Sequence, residues 1–163
     1  MKRGLILMIL AAVLLSGCTA SAGGLKEPVT FYYLLEQYTY GQDAQVFAPE
    51  QWEAAGHRQD LTYLLSLYLM GPSQEGHLSP LPRDTKVYST KELDRDVFVN
   101  ISDTGATLSD TAFTRACACL ALTCFDLTDA QSVTVRSGMR SITMTRDTLI
   151  LVDDSPMTTE ETA

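Results

Sequence analysis

Two stretches with helical spacing of apolar residues, separated by β-branched runs, restrict this chain to a mixed α and β fold. In the first stretch, the steps of three and four typical of one buried helix face are filled by Leu61, Leu64, Leu65 and Tyr68. Asp60 stands where an N-cap is expected, and Gly71 with Pro72 ends the helix, because glycine adopts left-handed geometry and proline cannot continue a helix. We therefore predict a helix from about residue 61.

The second stretch predicts a helix that opens at Ser109 and Asp110. Its predicted buried stripe consists of Phe113, Ala116, Cys117, Leu120 and Cys124. Cys119 lies about 200° around the helix from Cys117. We expect Cys119 at the edge or outside, where a thiol reagent reaches it.

The remaining patterned segments are rich in β-branched and aromatic residues and predict strands. The first strand is predicted over 29–35, a weaker extended piece over 45–47 is stopped by Pro49, and 50–58 is predicted as a surface connection or the lead-in to a helix. Two hairpins are predicted, one over 85–89 and 97–101 and one over 132–136 and 141–145, with a last short strand over 149–152. This order predicts an α+β fold: a two-layer domain, with two helices packed on one face of a mostly antiparallel sheet.

The N-terminus has the layout of a lipoprotein signal peptide over residues 1–17. Lys2 and Arg3 form a positive region, and an uncharged apolar stretch follows that is short for a transmembrane helix. Leu15-Ser16-Gly17-Cys18 is a pattern typical of lipoprotein processing, in which the Cys18 thiol takes a diacylglyceryl group. Cys18 is thus the predicted lipidation site, carrying acyl chains such as palmitate, and 18–28 is a flexible tether.

Charge narrows the set of partners. The chain has a formal charge of −8, and removal of Lys2 and Arg3 leaves 10 basic against 20 acidic residues, a charge of −10. Such a surface is a poor partner for nucleic acid. The predicted partners are the membrane, through the lipid, and other envelope or sporulation proteins, with a homo-oligomer left open.

Catalytic and metal-binding patterns are weak in this sequence. His57 and His77 lie in connecting segments, Ser73 and Ser79 stand near His77 without a recognisable motif, and the chain has no Gly-x-Ser-x-Gly or His-Glu-x-x-His. The cysteines that remain after lipidation do not resemble a zinc site, and their redox state stays open: Cys117, Cys119 and Cys124. Aspartates at 94, 96, 153 and 154 either bind calcium loosely or are solvated. We predict a non-enzyme with no catalytic residue, cofactor or metal.

One resemblance covers most of the mature chain. Leu69-Met70-Gly71-Pro72, then Pro82-Arg83-Asp84-Thr85-Lys86-Val87, resembles the GerMN family, in which an apolar helix ending in Leu-x-Gly-Pro precedes a loop and Pro-x-x-Thr-x-Val. Residues 29–152 are identified as one GerMN-like domain, and 153–163 as a disordered acidic tail. The resemblance implies sporulation or spore germination in a Gram-positive bacterium, on the extracytoplasmic face of the membrane or between mother cell and forespore.

Two functions follow as expectations. The first is a membrane-anchored interaction or assembly module whose sheet or hairpin edge meets other envelope proteins. The alternative is a cell-wall or small-ligand-binding module unrelated to sporulation, with the surface formed by Tyr32, Tyr33, Tyr38 and Tyr40.

Overall fold

A computed structural model describes residues 26–37, 45–147 and 149 of the chain. The predicted signal peptide, Cys18, Tyr38, Tyr40 and the acidic tail lie outside the described residues. The predicted last strand over 149–152 also lies outside them, apart from Leu149, which is helical in place of the predicted extended conformation and packs partly buried against the core.

The strands form two separate sheets. The first sheet has the order β2-β1-β3, with β1 (Pro28–Leu35), β2 (Phe47–Glu53) and the two-residue β3 (His77–Leu78) all antiparallel. The second has the order β4-β5-β6-β7, from β4 (Val87–Leu93), β5 (Asp96–Ile101), β6 (Ser132–Ser137) and β7 (Arg140–Thr145). The α+β class and both predicted hairpins are confirmed. The division into two sheets was not predicted, because alternation tells which way a strand faces but not which strand it pairs with.

Helix α1 (Leu61–Tyr68) confirms the first helical prediction. The Asp60 carboxylate accepts a hydrogen bond from Tyr63 N at 2.9 Å, as an N-cap does. All four residues of the predicted stripe are buried. Tyr68, at the end of the helix, stacks on Tyr33 of β1 with ring centroids 4.9 Å apart.

Helix α2 (Asp110–Leu127) connects β5 to β6, which run parallel because a helix carries the chain back between them. Its predicted stripe is buried, but the expectation for Cys119 is wrong, since this residue is fully buried. The helix contacts β1 of the first sheet on one side and β6 and β7 of the second on another. A helix covered from two directions has no exposed edge at Cys119.

A second expectation is wrong: the extended piece predicted over 45–47 does not stop at Pro49, because β2 continues through this proline to Glu53. Tyr32 is the register partner of Pro49, and the Tyr32 amide donates away from β2, to Thr123 Oγ1 of α2 at 3.0 Å. The pair Tyr32–Pro49 is therefore not hydrogen-bonded across the strands. The N–H that proline lacks would have faced the outer edge, where proline is tolerated.

A 3-10 helix (Asp103–Thr107) after β5 completes the described elements and was not predicted. Across these elements, no helix has both the length and the apolar character needed to cross a bilayer.

Candidate functional site

The most elaborate polar cluster surrounds Glu50, which lies on β2 with its side chain fully buried. Its Oε1 accepts from Gln74 N at 3.1 Å and lies 2.7 Å from His77 Nδ1. Its Oε2 accepts from Ser73 N, Ser73 Oγ and Trp52 Nε1 at 3.0 to 3.1 Å. Five donors thus meet one carboxylate, and the loop between α1 and β3 is tied to β2.

These hydrogen bonds decide the charge state of Glu50. Burial on its own would raise the pKa of the carboxyl group, because the charged form loses hydration. The donors of Ser73, His77 and Gln74 act in the opposite direction and outweigh it, so the pKa of Glu50 lies below its ordinary value. Glu50 is an ionised carboxylate at neutral pH, held as a structural acceptor.

The cluster does not have the geometry of a nucleophile with its base. Ser73 Oγ donates to Glu50, and Ser79 Oγ donates to Leu81 O at 3.1 Å. The hydroxyls of both serines near His77 are thus directed to other acceptors. His57 is stacked on the ring of Tyr63 with centroids 4.1 Å apart, where it packs as an aromatic group.

The three described cysteines are free and buried on α2. Burial raises the pKa of Cys117 and of Cys124 to about 12, and that of Cys119 higher still. They are protonated thiols at neutral pH, whereas a nucleophile or a metal ligand needs the thiolate. Within residues 26–37, 45–147 and 149, no three His, Cys, Asp or Glu residues are grouped to hold a metal.

The structure places some of the residues predicted for binding in the core and others at the surface. Tyr33 is fully buried and its hydroxyl donates to Tyr68 O at 3.0 Å, while Tyr32 is half-buried. The proposed tyrosine surface therefore loses Tyr33 to the core. Asp96 accepts from Ser132 Oγ at 2.5 Å and borders, with Asp94, a mixed-charge groove of about 760 Å³ at the end of the β4–β5 hairpin.

One face of the second sheet contributes to the core, and its other face is not covered by any element of the part of the chain that the structure describes. Val97, Val99 and Ile101 are buried in the core cluster, so the alternate residues of β5 point outward. The register places four residues side by side in each of three outward rows. These rows are Leu93–Asp96–Ser132–Thr145, Lys91–Phe98–Thr134–Thr143 and Ser89–Asn100–Arg136–Ser141. We call these twelve residues, with Tyr88, the open face.

Tyr88 joins the open face through a bulge. The register shifts between Val87 and Ser89, so Tyr88 and Ser89 both oppose Asn100. Val87 packs towards the core, and Thr90 Oγ1 lies 2.7 Å from Thr62 Oγ1 of α1. The two residues between them are therefore directed outward, and Tyr88 is 62% exposed.

The edges of the two sheets differ in how they are protected against strand addition. Strand β2 carries Pro49, β3 has two residues, and β4 carries the bulge and Lys91. Strand β7 has six residues in regular register, without proline or bulge, and its only charge is Arg140 at one end. Among the described edges, β7 is the one without a protective device. Sequence patterning missed this difference, because an edge is defined by pairing.

The comparisons with known proteins concern the fold. No family model matches the chain, and no curated protein matches it. The structure is similar to the tandem GerMN domains of the sporulation protein GerM from Bacillus subtilis, with a TM-score of 0.53 and 24% identity, over 76% of this chain and 43% of that chain. The chain thus spans less than half of that tandem structure, and its described residues have the GerMN-domain fold, as the resemblance implied.

Two further structures match at lower similarity. The first GerMN domain of GerM gives a TM-score of 0.46 and 15% identity, over 70% of this chain and 86% of that chain. A candidate lipoprotein from Clostridium perfringens gives a TM-score of 0.45 and 16% identity, over 80% of this chain and 94% of that chain.

Proposed function

We propose that this chain is a non-enzymatic, lipid-anchored interaction module on the extracytoplasmic face of the membrane, acting in sporulation or spore germination of a Gram-positive bacterium. The observation that carries the proposal is the unprotected edge of β7, which offers backbone groups to a strand of a partner protein. The GerMN fold, shared with a protein described as a sporulation protein, supports the biological setting. The lipoprotein-processing pattern Leu15-Ser16-Gly17-Cys18 supports the lipid anchor.

The geometry of β7 indicates which groups a partner would meet. A two-residue turn, Gly138-Met139, makes Ser137 and Arg140 a hydrogen-bonded pair, and the pairs alternate from there. Ser141 and Thr143 therefore direct their N–H and C=O groups away from β6, towards the edge. The side chains of Ile142 and Met144 face the core side and are half-buried. An added strand would continue the sheet without disturbing the core.

A structural role for the Glu50 cluster supports the non-enzymatic part of the proposal. Its five donors serve to fix the loop after α1, and both nearby serine hydroxyls already donate elsewhere. A hydrolytic activity of the purified full-length chain that disappears in His77→Ala would refute this part.

The edge is tested by one pair of variants in the native host. Ser141→Pro removes an outward N–H and adds bulk at the edge, whereas Ser141→Ala keeps the N–H and serves as the matched control. We expect deletion of the gene and Ser141→Pro both to lower heat-resistant spore counts, with Ser141→Ala at the wild-type level. Membrane-fraction immunoblots check that both variants accumulate equally.

Two outcomes would contradict the proposal. Normal spore yield and germination in the deletion strain would remove the sporulation role. A spore yield for Ser141→Pro equal to that of Ser141→Ala would remove β7 as the contact surface. Cys18→Ala tests the anchor separately, since we expect this variant to leave the membrane fraction.

A further inference from the structure

We propose that the open face of the second sheet binds a glycan strand that is N-acetylated and carries carboxylates. This surface consists of outward side chains of the second sheet, including Ser141, Thr143 and Thr145 of β7, whereas the proposed protein contact uses the backbone groups at the edge of β7. The inference therefore extends the proposed function and stands or falls independently of it.

The first argument is the exposure of two aromatic rings on one face of the sheet. Phe98 is 41% exposed at the centre of the face, between Lys91 and Thr134, and Tyr88 is more exposed beside Asn100. Exposing large apolar side chains is unfavourable, and two of them grouped on one surface indicate an interaction site. Flat aromatic rings can stack on the C–H faces of pyranose rings. A glycan strand of such rings is extended, so it can bind along a surface without a deep pocket.

The second argument is unused hydrogen-bonding capacity around these rings. The Asn100 amide, the Ser89 hydroxyl and the Lys91 ammonium have no hydrogen-bond partner among the described residues. Arg136 donates through Nε to Gly138 O, which leaves its terminal nitrogens available. An amide that can donate and accept at once suits an acetamido group, and hydroxyls suit sugar hydroxyls.

The third argument is charge. The chain carries −8 overall, yet the open face holds Lys91 and Arg136 against one acid, Asp96, whose carboxylate already accepts from Ser132 Oγ. An anionic polymer is repelled from most of the protein and attracted to this face. Carboxylates on the glycan complement the two bases. An acidic peptide would also be attracted by the bases but would leave the aromatic platform without its stacking partner.

The test is co-sedimentation of the full-length chain, in detergent, with purified protein-free peptidoglycan. We expect the wild-type chain to pellet and the double variant Tyr88→Ala/Phe98→Ala to bind about tenfold more weakly. The matched control is Met70→Ala/Met139→Ala, which removes two exposed apolar side chains outside the open face. This control should pellet like the wild type, and Phe98→Tyr, which keeps a ring, should retain binding.

Two competitors separate the glycan from a simple polyanion. Soluble oligomers of N-acetylglucosamine should release the chain, and polyglutamate of equal charge should release it poorly. Lys91→Gln/Arg136→Gln should weaken binding and reduce its dependence on salt. Urea unfolding midpoints check that each variant is folded.

Three results would overturn the inference. They are a wild-type chain that stays in the supernatant, an aromatic double variant that pellets like its methionine control, and polyglutamate that competes as well as the sugar oligomers. None of these results affects the spore-yield test of the β7 edge, so failure of one proposal is distinguishable from failure of the other.

Discussion

The two sheets of this domain make opposite use of their polar residues. In the first sheet a charged side chain, Glu50, is fully buried, and its hydrogen bonds fix the loop after α1 to β2. On the open face of the second sheet the polar side chains point outward, and their contacts include Ser132 with Asp96 and Thr134 with Thr143 at 2.8 Å. The difference indicates that the polar cluster of the first sheet stabilises the fold, while the open face of the second sheet presents a surface. Substitutions should therefore be costly at the Glu50 cluster and cheap on the open face.

The largest effect is expected for Glu50→Ala. It removes the buried acceptor of five hydrogen bonds at once and leaves a cavity in its place, so we expect a loss of about 3–5 kcal/mol in the free energy of unfolding. Urea titration followed by circular dichroism measures it. Glu53→Ala, an exposed glutamate on the same strand, is the control and should change stability by less than about 0.5 kcal/mol. A similar small effect for both variants would contradict the structural role of the cluster.

The next largest loss in the free energy of unfolding is expected for Thr123→Val on α2. Valine matches threonine in shape but cannot accept the hydrogen bond from Tyr32 N, so we expect a loss of about 1–3 kcal/mol. Thr123→Ser keeps the hydroxyl and should lose less. Equal losses for the two variants would show that the hydroxyl does not help α2 hold the edge of β1.

Lowering the pH should destabilise the protein through protonation of Glu50 in the first sheet. Its folded pKa lies below the ordinary value of 4.5, so its contribution is complete above the unfolded pKa and is lost as pH falls through the folded pKa. We expect the urea midpoint to fall as pH is lowered from about 4.5. Glu50→Gln has no carboxylate to titrate, so its decline should be shallower. Parallel curves for the two proteins would assign the acid sensitivity to other groups.

The smallest effect is expected on the open face. Phe98→Ala removes a half-exposed ring that none of the described helices covers, so the free energy of unfolding should change by less than about 1 kcal/mol. Denaturant unfolding of this variant beside Glu50→Ala measures the contrast directly. A loss as large as that of Glu50→Ala would mean that Phe98 is part of the core.

Local patterns in the sequence were sufficient for most elements. The stripe of α1, the alternation of Val97, Val99 and Ile101, and the two hairpins follow from periodicity and turn residues that act over a few positions. The GerMN fold followed from two short motifs around Gly71 and Thr85. These features need no knowledge of distant partners.

Features set by contacts distant in sequence were missed. Glu50 is polar and follows a proline, so the sequence predicts a surface connection or the lead-in to a helix there, although donors more than 20 residues away stabilise Glu50 in the interior. Helical periodicity predicts Cys119 at the edge or outside, because it assumes a helix with one covered side, whereas α2 is covered on two. The open face and the free edge of β7 depend on strand pairing, which periodicity does not specify.

Arg146 connects the end of β7 to the end of α2, which matters for how the domain transmits force. Directly after β7, its guanidinium donates to Phe125 O at 2.8 Å and to Ala130 O at 3.2 Å, which fastens the end of the strand to the end of α2. Thr123 of the same helix is fastened to β1, the strand next to the N-terminal tether. If a lipid holds the N-terminus and a partner pulls at β7, the tension passes along α2, so the helix carries the load between the two attachment points.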